Sequence, residues 1–123
     1  MTTTNTTGKY LVNWRDGLEN PERATISLIL AVTASKTAET AIFVAAEACD
    51  VCIKGAADSV VAPGYEPVSD LLDAFIENGG RLWLCPACAK AKGFSADDLI
   101  PGVEIAGAPR TMEFLASGAH ILA

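Results

Sequence analysis

Arg81-Leu-Trp-Leu runs without a break into Cys85-Pro-Ala-Cys88, and an Ala/Lys helical repeat follows until Gly93. The four residues before the first cysteine read as a short buried strand, so the chain passes directly from strand to cysteine to helix. A handover this abrupt belongs to an α/β sheet whose strands run parallel beneath covering helices. In such sheets the carboxyl ends of the strands open onto a crevice, and the free N–H groups of a helix start favour negative charge. Cys85 is therefore expected as a thiolate-biased nucleophile. Cys88 lies one helical turn on, close enough to resolve a disulfide or mixed intermediate.

The rest of the chain reads as a scaffold of the same class. Residues 9–14 form a first strand, short and rich in aromatic and β-branched side chains. Asn20-Pro21-Glu22 is a helix start, with an Asn cap, Pro at the first helical position and an acid in the first turn. The helix it opens, 22–34, is apolar almost all round, which implies burial on more than one side and points toward oligomerisation. A second strand at 40–45 is a continuous apolar run, as both-face burial in a parallel sheet produces. A short helical turn at 47–54 ends at Gly55, and 56–65 is a connecting loop. Residues 67–77 are helical, with Val68, Leu71, Leu72, Phe75 and Ile76 on one face. After the cysteine turn, 94–102 is a loop, 103–106 a fourth strand, 109–117 a helix and 120–123 a short last strand. About five parallel strands alternate with helices.

The chain has 123 residues, half of them hydrophobic, which suits one domain over 9–123 with a core of its own. Residues 1–8 are polar and uncharged, and are expected to form a disordered lead-in without a signal core. Nine basic against fifteen acidic residues give a net charge of −6, and no basic cluster offers a grip on phosphate backbones. No apolar stretch approaches the ~20 residues that span a bilayer. A cytoplasmic protein without nucleic-acid or membrane partners is expected, and in that setting free, redox-active or metal-bound cysteines outnumber structural disulfides.

Four cysteines fall as Cys49-Asp-Val-Cys52 and Cys85-Pro-Ala-Cys88. Two such pairs invite a tetrahedral zinc site. Their separation of 32 residues exceeds the usual ribbon spacing of ~15–20, and a whole predicted helix lies between them. Cys49 and Cys52 share a face of a short helix, and ordinary packing accounts for both. No metal and no cofactor is expected. Cys85 and Cys88 differ because a strand end is where function needs a cysteine and packing does not. A Cys-x-x-C next to a βαβ pattern is also a redox signature, although in glutaredoxin-like folds it follows the first strand, and here it comes late in the chain. His120, the only histidine, reads as a packed edge residue of the last strand. Lys90 and Lys92 read as complements to a helix C-terminus, and Lys92 also shares a face with Cys88.

Lys9-Tyr-Leu-Val, Asn20-Pro-Glu-Arg-Ala, the run from Gly79 to Gly93 and Gly102-Val-Glu-Ile-Ala-Gly107 together resemble the DsrE/DsrF-like family of small sulfur-relay proteins. The resemblance spans 9–123. It implies a three-layer α/β/α, flavodoxin-like (DsrEFH-like) fold with a five-stranded parallel sheet, assembled as a homotrimer or hexamer. In the sulfur-relay members a single cysteine after the third strand carries sulfur as a persulfide, and Cys85 matches it. Cys88 departs from those single-cysteine subunits and resembles the two-cysteine branch labelled peroxiredoxin-like. Three functions follow. The first is a carrier, or sulfurtransferase, that loads sulfane sulfur on Cys85 from a donor protein and passes it to an acceptor thiol. The second is a thiol–disulfide redox protein using Cys85 and Cys88, and the third an oligomeric binding module with inert cysteines.

Overall fold

The computed structural model describes residues 8–123, so all but Gly8 of the expected lead-in lies outside the described residues. Five strands form a single parallel sheet: β1 (Lys9–Trp14), β2 (Glu39–Val44), β3 (Arg81–Leu84), β4 (Val103–Ile105) and β5 (His120–Ile121). Their order is β4-β3-β2-β1-β5. The helices are α1 (Pro21–Ser35), α2 (Ala48–Val51), α3 (Val68–Glu77), α4 (Pro86–Lys92) and α5 (Ala108–Ala116). The α/β fold expected from the sequence is present. Its strand order differs from the 2-1-3-4-5 of flavodoxin itself, while the layering is shared.

From β1 to β4 the chain steps across the sheet in one direction, so right-handed crossovers lay α1, α3 and α4 on one face. The return to β5, beside β1, puts α5 on the other. Alternation along each strand then sorts the side chains. Val12, Trp14, Ile42, Val44, Leu82 and Leu84 point into a thick core with Leu28 of α1 and Leu72 and Phe75 of α3. Leu11, Ala41 and Trp83 point the other way, toward Phe114 of α5, whose ring meets the Trp83 ring edge-on at 5.5 Å. Each fully buried Leu, Ile or Val side chain is worth roughly 1.5–3 kcal/mol of transfer free energy. Most of that lies on the thick face.

Helix α1 starts as its sequence dictates: the Asn20 Oδ1 accepts the Arg23 N–H at 3.2 Å, and Pro21 holds the first helical position. It is not enclosed on several sides within the chain. Ala24, Thr25, Leu28, Ala31 and Val32 are buried, but Ile26 and Leu30 remain 42% and 39% exposed. His120 corrects another expectation. It lies at the sheet edge as foreseen, paired with Tyr10, yet it is exposed rather than packed, because β5 has only two residues and no strand beyond it. Among the described residues no helix is long and apolar enough to cross a membrane.

Candidate functional site

Neighbouring strands β2 and β3 end side by side, and the Cys85 N–H extends their ladder by donating to the Val44 carbonyl at 2.9 Å. Cys85 is the backbone cap of α4, with Pro86 in the first turn, and its side chain makes no capping bond. Cys88 follows within the first turn of α4, and both cysteines are half-buried. Across from them β2 gives way to Ala45 and Ala46. Ala46 adopts φ 55°, the single positive φ at a non-glycine among the described residues. A left-handed alanine costs roughly 1–2 kcal/mol, and strain of this kind collects at functional sites. The Ala46 N–H donates to the Cys88 Sγ at 3.4 Å.

That N–H is the main reason the Cys88 thiol is held below its ordinary value; contact with the Cys85 and Cys49 thiols and the charge of Lys92 lower it further, against the opposing effect of burial. Lys92 stands one turn along α4, its Nζ 3.5 Å from Asp50 and 3.8 Å from Glu47. Cys49 and Cys52 are fully buried. Burial, with the neighbouring Cys88 second, pushes the Cys49 thiol up to about 12, and burial also raises Cys52. The site therefore contains one sulfur, Cys88, whose thiol is held down chiefly by a backbone donor, one helical turn from Cys85.

A model of the DsrE/DsrF-like family matches residues 9–123, the whole span of the sheet and its helices. The chain belongs to the DsrE/DsrF-like family. An uncharacterized protein of Methanocaldococcus jannaschii is 29% identical to this DsrE-like chain over 107 residues, which are 86% of the chain but 38% of that protein's length. The crystal structure of the ychN protein from E. coli superposes with a TM-score of 0.76 at 20% identity, covering 94% of this chain and 100% of the other. A protein of unknown function from Methanobacterium thermoautotrophicum superposes at 0.67 and 15% identity, covering 94% and 97%. At these identities the structural matches establish the fold.

In this DsrE-like chain the folded structure brings Cys85 and Cys88 together, as the Cys-Pro-Ala-Cys spacing requires. It leaves His120 at the amino end of the sheet, paired with Tyr10, away from the carboxyl-end cysteines. Among the described residues no group of His, Cys, Asp and Glu side chains is arranged to hold a metal ion. Two features go beyond the sequence reading. The Cys88 thiol is held below its ordinary value, and the group that does most of this is the Ala46 backbone N–H. Cys49, expected only to pack, also donates its S–H to the Val44 carbonyl at 3.6 Å. Nothing in the sequence flags Ala46, since alanine carries no preference for positive φ.

Proposed function

We propose that this chain is a sulfur-relay carrier in which Cys85 takes up sulfane sulfur as a persulfide and passes it to a partner thiol. The supporting observation is the contact of the Ala46 N–H with the Cys88 sulfur, one helical turn from Cys85 at the carboxyl end of β3. Cys88 as thiolate takes the proton of Cys85, and the Cys85 thiolate attacks the outer sulfur of a donor persulfide. One S–S bond breaks as another forms, the donor leaves as a thiolate, and no net oxidation occurs. Unloading repeats the exchange with the acceptor's thiolate as nucleophile. Four free cysteines suit a reducing, cytoplasmic setting. The outward Ile26 and Leu30 of α1 suit burial against further copies of the chain, and the donor and acceptor are proteins bearing cysteine.

The same contact favours a second reading, thiol–disulfide redox by the pair. Intact-mass spectrometry after incubation with a sulfane-sulfur donor separates the two. A carrier gains sulfur in the parent chain and loses that gain in Cys85→Ser. A redox pair instead loses two hydrogens and needs both cysteines, so Cys88→Ser abolishes the change. Undiminished sulfur loading in Cys85→Ser would remove Cys85 from the role assigned to it.

A further inference from the structure

The carrier reading uses Cys85 and Cys88 and leaves Cys49 to packing, yet the hydrogen bonds around β2 single it out. The Cys49 Sγ donates to the Val44 carbonyl at 3.6 Å, the same carbonyl that accepts the Cys85 N–H at 2.9 Å. The Cys49 N–H donates to the Ala46 carbonyl at 3.1 Å, and the Ala46 N–H in turn donates to the Cys88 Sγ at 3.4 Å. Three cysteines from two separate parts of the chain are thus tied to one short segment, 44–46, and that segment contains the left-handed Ala46.

We infer that Cys49 is a positioning residue whose S–H and N–H pin segment 44–46 in the conformation that aims the Ala46 N–H at the Cys88 sulfur. The peptide group bearing that N–H lies between the two carbonyls that Cys49 anchors. Peptide groups are planar, so with the carbonyls on either side held, the group between them can turn only by opposed changes of ψ at Ala45 and φ at Ala46. Cys52 supplies the contrast. It is as deeply buried, but its backbone bonds run to Cys49 and Ile100, not to segment 44–46. The groups facing Cys88 are the Ala46 N–H, the thiols of Cys85 and Cys49, and Lys92 with its partners Glu47 and Asp50. Of these, Cys49 alone bonds segment 44–46 with its side chain, through the Sγ–Val44 bond. The inference rests on the carrier reading only for what the Cys88 thiolate is used for.

The test follows Cys88 alkylation by iodoacetamide against pH, in the full chain carrying Cys85→Ser so that one reactive cysteine remains. Adding Cys49→Ala is expected to raise the midpoint by about 1 pH unit, the scale of one hydrogen bond to a charged sulfur, and to slow labelling about tenfold below both midpoints. Cys49→Ser, which keeps a donor, returns the midpoint toward that of the parent. Cys52→Ala lowers thermal stability to a similar degree and leaves the midpoint in place. Should Cys49→Ala fail to fold, Cys49→Val, similar in volume and without a donor, is expected to give the same upward shift. An unmoved midpoint in the Ala or Val variant, or an equal shift in Cys52→Ala, overturns the inference. The midpoint is measured without any sulfur donor, so a chain that never loads sulfur defeats the carrier reading and leaves this one standing.

Discussion

Alkaline pH is expected to unfold this protein through its two buried thiols. Cys49 and Cys52 are fully buried, and burial raises both, Cys49 to about 12. In the unfolded chain they ionise near the ordinary value of 9.0. Above that pH the unfolded state has released protons that the folded state still holds, so stability falls as pH rises, by about 1.36 kcal/mol per unit per thiol. Between about pH 8 and pH 11 each thiol thus removes roughly 3 kcal/mol, and the two together roughly twice that, against a typical total of ~5–15 kcal/mol for a folded domain. Cys88 has the opposite sign. Its value is lowered on folding, so the stability it adds grows until the unfolded thiol has ionised near 9.0 and is constant above, and it opposes the fall only at the lower end of this window. The assay is urea unfolding under reducing conditions at several pH values, read by the fluorescence of the buried Trp14 and Trp83. Cys52→Ala starts from lower stability because it leaves a small cavity. Its loss between pH 8 and pH 11 is expected to be smaller than the parent's by roughly 3 kcal/mol. Tyrosine and lysine titrations are common to both chains and cancel in the comparison. An equal fall in the two chains would refute the reasoning.

Two further perturbations test other parts of the structure. Lys92→Met removes the ammonium held 3.5 Å from Asp50 and 3.8 Å from Glu47, and is expected to raise the Cys88 alkylation midpoint by less than about half a pH unit. That difference shrinks in about 1 M salt if charge is the cause, and its absence at low salt would show that Lys92 has no influence on the sulfur. At Gly80 an added Cβ would overlap the ring of the fully buried Phe75. Gly80→Ala is therefore expected to cost roughly 1–3 kcal/mol in urea unfolding, and an unchanged midpoint would mean that Phe75 has room to move.

What the sequence could determine is what short stretches of chain determine for themselves. Asn20-Pro21-Glu22 starts α1 because the cap, the fixed φ of proline and the first-turn acid act within one turn. The spacing of Val68, Leu71, Leu72 and Phe75 places the buried face of α3 through helical periodicity alone. Arg81-Leu-Trp-Leu followed by Cys85-Pro-Ala-Cys88 exposes the site because a strand end and a helix start are adjacent in the chain. The apolar character of 22–34 could not say how much of α1 would be covered, and Ile26 and Leu30 stand outward. Strand order was beyond local pattern as well, since β2 and β3 look alike whichever neighbours they take, and crossovers and shared burial decide the order β4-β3-β2-β1-β5. The same holds at the sulfur. Ala46 and Cys88 are 42 residues apart and come within hydrogen-bonding distance only once β2 and β3 lie side by side. The sequence therefore determined which cysteines stand at the strand end. Only the tertiary structure decided that the Cys88 sulfur meets a donor, because that donor is a backbone N–H in the turn that follows another strand.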